Sequence, residues 1–417
     1  GVYKAKNFEL FKQDLEDHGM AEQAKDFFNA SGKLQVLCYK AEIEKDLRTP
    51  GLAGFQLLGL QDFPGQGTAL VGVIDAFWDD KGYINARQFS RFCSPTVLLA
   101  KLPKFVFTNT EMVEADVELF HFGKVELKNV IITWVVKNDR GDIVRSGNFA
   151  PQTFIAGANQ PVGKISFPVN DIPIAMHYKL EVAFEKLPIA NDWDFWVYPA
   201  ELPRRETDDV NYYHCTSLDD KAEEVLNNGG MVFLNAAGKV VKGKEIAMQF
   251  TPVFWNTSWF KMRPPHVTGL LIQSKHPAFA DFPTEYYSDY QWWGIANKAQ
   301  VMHLEDFPKG FKPLVQPIDT WFMNRKLGLV FEAKVGKGKL IITSADLSDT
   351  SSFAASRQLY YSIKKYMLSG KFNPVDKVEL SVIKDLFISP SKETWDSYTK
   401  DSPDELKPIK NQPANNQ

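Results

Sequence analysis

Between helix-forming segments and a glycine-rich loop, this chain holds one short, almost continuously apolar run, Ala53-Gly54-Phe55-Gln56-Leu57-Leu58-Gly59-Leu60. Such a run reads as a strand buried on both faces, as in a parallel sheet. A lone buried strand has two open edges and cannot satisfy its own backbone N–H and C=O groups. Its neighbours must come from elsewhere, either from strands upstream in a longer parent or from another domain or subunit. Before the run, Phe8, Phe11, Leu15 and then Ala24, Phe27, Phe28 recur at helical spacing, and Ser31-Gly32 predicts a break. A second helix is predicted from Leu34 to Leu47, ended by Thr49-Pro50-Gly51. After the run come the loop Gln61-Asp62-Phe63-Pro64-Gly65-Gln66-Gly67 and a short helix from about Asn85 to Phe92. Residues 1–100 therefore read as the end of a (β/α)8 barrel, its last strand and flanking helices.

From residue 101 to 200 the pattern changes to period two. Val117 and Leu119, then Tyr178, Leu180, Val182 and Phe184, alternate with polar residues, and Val130–Val136 is a strong strand. Asn138-Asp139-Arg140-Gly141 is a hairpin turn. Several short strands without a helical pattern predict an immunoglobulin-like β-sandwich. Residues 201–372 return to alternation. Strands are expected at Val210–Cys215, Met231–Leu234, Gly269–Ile272, Leu327–Ala333 and Leu340–Ser344, with helices at Leu218–Asn228 and Ala354–Leu368, a three-layer α/β domain. Residues 373–417 read as a C-terminal tail with one short helix at Val378–Phe387.

Composition excludes some classes. A formal charge of -3 over 417 residues lacks the basic footprint of a nucleic-acid binder. No run approaches the roughly 18 apolar residues of a membrane span. Three cysteines (Cys38, Cys93, Cys215) make neither a disulfide framework nor a zinc site. No cofactor or metal is expected.

The loop after the apolar run sits where barrels build their active sites. Its glycines allow a ligand to approach the backbone, and Gln61, Asp62 and Gln66 offer polar contacts to hydroxyls. Trp78, shortly after, could present a stacking face to a sugar ring. A second aromatic-rich region, Phe254, Trp255, Trp259, Phe260, Tyr286, Tyr287, Trp292, Trp293 and Trp321, reads as loop packing before it reads as a carbohydrate-facing wall. His214-Cys215 follows a predicted strand, but its context, Tyr213-His214-Cys215-Thr216-Ser217, lacks the glycines of a nucleophile elbow, so the thiol is expected to be inert. His266, His276 and His303 lack metal-ligand spacing.

Gly54–Phe63, the loop through Gly67, and Val71-Gly72-Val73-Ile74-Asp75-Ala76-Phe77-Trp78-Asp79-Asp80-Lys81-Gly82-Tyr83 resemble the eighth strand and following loop of family 2 glycoside hydrolases, the β-galactosidase and β-glucuronidase clan. Asp62-Phe63 is similar to the Asp-Phe pair that closes this strand in β-glucuronidase-like members, and Lys81-Gly82 to their Lys-Gly before the last helix. Where many members carry a Trp in the strand, this chain has Leu57-Leu58. The resemblance points to a divergent bacterial subgroup in which a sandwich and a glutamine-amidotransferase-like domain follow the barrel.

That resemblance implies a retaining β-glycosidase with two glutamates about 5–5.5 Å apart. Both would fall before Gly1, and Glu9, Glu16 and Glu22 are read as a solvated helix face. The expectation is that this chain contributes one wall of a carbohydrate cleft, with Gln61, Asp62, Phe63, Gln66 and Trp78 as its substrate-binding residues. No catalytic residue is expected within the chain, and the isolated chain is expected to be inactive. Its partners would be carbohydrate and the rest of the parent barrel, with no nucleic acid and no membrane, in a bacterial periplasm or outside the cell. The competing class is a non-catalytic carbohydrate-binding or scaffold protein.

Overall fold

The computed structural model describes residues 6–63, 70–203, 211–248, 267–297, 299–321 and 323–393. The chain begins with two helices, α1 (Lys6–Asp17) and α2 (Ala24–Arg48). The break between them falls at His18-Gly19-Met20, not at Ser31-Gly32 as the sequence predicts. Gly19 adopts φ +68 and ends α1, with Met20 N–H donating to Leu15 O at 2.7 Å. Gly32 lies inside α2 because the Tyr83 ring occupies the space of a side chain there; a Cβ would sit 2.4 Å from it. A residue that reads as a breaker is a packing notch.

The expected buried strand at Ala53–Leu60 is also corrected. The segment is a loop, and Leu58 is 87% exposed. Among the described residues no strand lies beside it and no closed barrel forms. Its end makes only isolated bridges, Gln61 with Ile74 and Ile74 with Asp80. An extended apolar segment without hydrogen-bonding neighbours has no ladder to join. The short helix that follows, α3 (Ala86–Phe89), starts at a capping box made by Asn85 and Gln88.

Ten strands form the β-rich part: β1 (Thr96–Lys101), β2 (Val106–Thr108), β3 (Met112–His121), β4 (Leu127–Val130), β5 (Ile132–Asn138), β6 (Ile143–Asn148), β7 (Gln152–Phe154), β8 (Gly157–Pro168), β9 (Met176–Phe184) and β10 (Ala190–Tyr198). One sheet has the order β1-β3-β8 and another the order β2-β10-β9-β5-β6. The predicted single strand at Val130–Val136 divides at Ile131. β4 pairs with β7, while β5 enters the larger sheet between β9 and β6. Inward residues of the two larger sheets, among them Val113, Val117, Ile165, Leu180 and Phe195, share one core, as period-two alternation requires.

The α/β part contains β11 (Tyr212–Cys215), α4 (Asp220–Asn227), β12 (Met231–Asn235), β13 (Leu270–Ile272), α5 (Trp292–Ala296), β14 (Met302–His303), β15 (Val315–Pro317), β16 (Leu327–Gly328), β17 (Val330–Val335), β18 (Gly338–Thr343), α6 (Ala354–Met367) and α7 (Leu380–Asp385). Its sheet order is β11-β12-β18-β17-β15-β13. The first three strands are parallel and the others antiparallel. Alternate residues of β12 feed opposite cores. Val232 and Leu234 pack with Leu226 of α4 and Ile383 of α7, and Phe233 packs with Leu359 and Ile363 of α6. The expected tail from Asn373 onward is, as far as the described residues go, part of this unit: Val378 N–H donates to Lys334 O, and α7 packs on the sheet. No described helix is long and apolar enough to cross a membrane.

Helix α2 ties the parts together. Its Ile43 and Leu47 pack on Phe92, Val97 and Leu99, and Leu34 touches the core of the α/β part. At the buried centre, the Glu44 carboxylate accepts from Lys40, from Asn191 Nδ2 at 2.8 Å and from Trp193 Nε1 at 2.9 Å. Lys40 also donates to Asn191 Oδ1 at 2.6 Å.

Candidate functional site

The described stretches on either side of residues 64–69 are brought together by backbone before side chains act. Asp62 N–H donates to Ile74 O at 3.1 Å and Val73 N–H to Leu60 O at 2.9 Å, so residues 60–62 and 72–74 run side by side. Gly72 is required by that approach, since a Cβ there would lie 2.3 Å from the Gln61 carbonyl carbon. Asp62 then locks the pair: its Oδ1 accepts from Gly72 N–H at 2.9 Å and from Lys81 Nζ at 2.7 Å. Lys81 also donates to Gly72 O at 2.7 Å. The Tyr83 hydroxyl sits 3.0 Å from the same carbonyl and 2.9 Å from Gln35 Oε1. Burial pushes that phenol well above its ordinary pKa, so it stays protonated.

Beyond this latch the loop projects aromatic side chains. Asp75 Oδ1 accepts from Phe77 N–H at 2.7 Å and Asp79 N–H at 3.0 Å, an Asx-type turn that holds the tip. Trp78 within it has φ +72, left-handed backbone that is costly for a bulky residue. Phe77 is 84% exposed, Trp78 65% and Phe63 55%. A strained, braced turn therefore holds flat apolar faces in water beside a carboxylate already neutralised by a lysine. Such a surface can stack on a ring or seat another chain.

The structure brings Gln61, Asp62 and the Trp78 turn together through Ile74. Phe63 adjoins Asp62, while Gln66 lies outside the described residues. Sequence reasoning missed Lys81 as the partner of Asp62, and Phe77 as the most exposed aromatic of the turn. The spacing Asp75-x-Phe77-Trp78-Asp79 was the available signal for an Asx turn with an outward aromatic pair.

The other candidates sit elsewhere. Trp292 is fully buried, edge-on to Phe282, with its Nε1 donating to Thr284 Oγ1 at 2.9 Å. It is core and cannot face a sugar. Trp293 is half-exposed, whereas Phe254, Trp255, Trp259, Phe260 and His266 lie outside the described residues. Cys215 is buried, and burial pushes its thiol up to about 12. His214 turns to Tyr360, whose hydroxyl lies 3.1 Å from its Nδ1, and burial lowers its pKa. The two side chains thus form no thiolate–imidazolium pair. His276 accepts from Ala278 N–H as a cap, and His303 is fully buried. Among the described residues no cluster of His, Cys, Asp or Glu is arranged to hold a metal.

Buried charge is found instead in structural nodes. Lys242 lies among Glu305 at 3.1 Å, Asp306 at 2.6 Å and Asp385, which join α7 to the α/β part. Arg325 makes a two-pronged pair with Asp319 at 2.7 and 3.0 Å. At the seam between the β-rich and α/β parts, His177 bonds Asp139 at 2.5 Å and Asp194 at 3.1 Å. Burial opposes its charge, but those two carboxylates win and push it up to about 9.

Two sequence families match, both described as domains of unknown function: DUF8488 over residues 111–199 and DUF8487 over residues 213–388. Curated proteins give no match. Among solved structures, an alkylpurine DNA glycosylase of Pseudomonas fluorescens bound to abasic DNA is similar at 10% identity, covering 25% of this chain and 31% of that one, with a TM-score of 0.21. A CARDB domain from Pyrococcus furiosus is similar at 8% identity, covering 24% of this chain and 86% of its own, with a TM-score of 0.20. A Parabacteroides merdae β-glucuronidase is similar at 11% identity, covering 34% of this chain and 21% of its own, with a TM-score of 0.20. The chain thus spans less than a third of the DNA glycosylase and about a fifth of the β-glucuronidase. Scores of this size carry no argument. The two family matches fall on residues 111–199 in the β-rich part and 213–388 in the α/β part, and neither extends to the loop bearing Asp62 and Trp78.

Proposed function

We propose that this chain is the C-terminal part of a retaining β-glycosidase, supplying one wall of a carbohydrate cleft and accessory domains that brace a barrel formed upstream. The observation that carries the reading is the concentration of uncovered apolar side chains toward the start of the chain. Among the described residues, nine of nineteen exposed large apolar side chains lie at or before Trp78, including Phe55, Leu58, Phe63 and Phe77. Burying each such side chain is worth about 1.5–3 kcal/mol, so a surface of this kind favours a cover. The apolar run Ala53–Leu60 is the segment whose sequence resembles an eighth barrel strand, and among the described residues it joins no sheet, only Leu60 at its end meeting Val73 and Ile74. Upstream strands would supply both the ladder and the cover, and the catalytic glutamates with them.

In that role the Asp62–Lys81 latch fixes the loop, and Phe63 and Trp78 offer faces to the sugar. The experiment compares nitrophenyl β-glycoside hydrolysis by this chain and by the same chain extended through its upstream coding sequence. No turnover is expected from the first. Turnover is expected from the second, with KM raised about tenfold by Trp78→Ala, the loss of roughly 1.4 kcal/mol of binding. Hydrolysis by the 417-residue chain alone, or an extended protein without two strand-end glutamates, overturns the proposal. Oligosaccharide binding by the chain alone, with no upstream barrel encoded, would favour the carbohydrate-binding scaffold instead.

A further inference from the structure

We propose that the β-rich part carries a second binding site, for a small aromatic carboxylate, in a cleft between its sheets. The cleft has a volume of about 250 Å³ and opens beside the turn Ile172-Pro173-Ile174. Its walls are Val136, Phe167, Val169, Met176, Tyr178 and Phe195. All but Met176 are buried members of the shared core, so the walls are held by packing on their far sides. Tyr178 stacks on Phe195 with centroids 5.5 Å apart, and Phe167 is backed by Trp134 at 5.8 Å. The turn at the mouth is pinned by Asn109 Nδ2, which donates to Ile172 O at 3.0 Å.

Size and chemistry select the occupant. A cleft of this volume suits one substituted ring rather than an oligosaccharide or a helix. Apolar walls give hydroxyls few partners, which disfavours a sugar and favours an aromatic face among aromatic edges. The mouth supplies one cation. Arg145 NH1 donates to its neighbour's carbonyl, Val144 O, at 2.8 Å, and NH2 meets both oxygens of Asp171 at 2.6 Å. Asp171 is mostly exposed, so its pairing with Arg145 contributes little free energy. A carboxylate whose ring fills the cleft can replace Asp171 on the guanidinium and adds burial that Asp171 does not provide. Asp171 then acts as a built-in competitor.

The test is calorimetric titration of the 417-residue chain with benzoate, benzyl alcohol and acetate. Saturable benzoate binding is expected, with benzyl alcohol at least about fivefold weaker and acetate not bound. Asp171→Asn should tighten benzoate by about threefold or more by removing the competitor, and Arg145→Gln should weaken it by about tenfold. Both positions are at the rim, and unchanged thermal unfolding of each variant checks that the fold persists. Absence of benzoate binding in both wild type and Asp171→Asn overturns the site. Equal binding of benzoate and benzyl alcohol, or benzoate affinity indifferent to both substitutions, overturns the carboxylate assignment. None of these outcomes depends on glycosidase activity.

Discussion

Replacing Glu44 should be among the most damaging single changes in this protein, and its cost can be worked from its neighbours. Its carboxylate is buried and is shared by Lys40, Asn191 Nδ2 and Trp193 Nε1, with Arg48 NH1 3.6 Å away. Burial depresses the Lys40 pKa despite the adjacent carboxylate, so the pair sits where charge is costly. In Glu44→Leu the ammonium loses its counter-charge, a change that costs about 3–5 kcal/mol at buried pairs. The indole N–H of Trp193 is orphaned as well, at about 1–3 kcal/mol. Together these give an expected cost of about 4–8 kcal/mol.

The double variant Lys40→Met, Glu44→Leu removes both charges and leaves mainly the orphaned indole and amide donors. It should therefore be less destabilised than Glu44→Leu alone, with a coupling of about 3 kcal/mol. Urea unfolding of the four proteins, followed by tryptophan fluorescence, measures this cycle. Additive effects, or a Glu44→Leu cost below about 1 kcal/mol, would refute the claim that a buried, mutually dependent network fastens α2 to the β-rich part.

Gly32→Ala should lower stability by about 1–3 kcal/mol, read as a drop in Tm, because the new methyl meets the Tyr83 ring at 2.4 Å. Trp78→Gly should raise stability by roughly 0.5–1 kcal/mol by relieving φ +72, while removing the aromatic face the proposed cleft uses; denaturation curves and sugar binding would move in opposite directions. The His177 pair has a defined pH signature. With its pKa raised from 6.5 to about 9, its contribution is complete below about pH 6.5 and fades as pH rises through 9. Thermal unfolding from pH 6 to 10 should show a loss of about 2 kcal/mol, discounted for the half-exposed Asp139, and His177→Gln should lack it. Burial pushes Asp289 up to about 7, so the wild type should lose stability as pH rises from about 4 to 7, and Asp289→Asn should not.

Local pattern was a good guide where each element makes its own case. The short helix after Asn85, the Asn138–Gly141 turn between β5 and β6, and the alternation of β9 all appear where the residues predict them, although the helix ends at Phe89 rather than Phe92. Asp219 caps α4 through Ala222 N–H, again a local signal. Of the candidate loop, residues 64–67 lie outside the described residues, while Phe63 and, further on, Trp78 are exposed. Its latch was not legible, because Asp62 and Lys81 meet only after the backbone doubles back through Ile74.

By itself, then, the sequence determined which segments alternate, cap and turn, because those preferences are set within a few residues. It also set the apolar character of Ala53–Leu60. Tertiary structure decided what these segments do. Gly32 stays helical because Tyr83 fills its notch, and the strand-like run remains a loop because no described strand lies beside it. Val130–Val136 divides because its two halves find different partners. Trp292 is core while Trp78 stands in water, although both are tryptophans among polar and aromatic neighbours. Burial and ladder pairing depend on residues distant in the chain, and no local pattern records which of them will arrive.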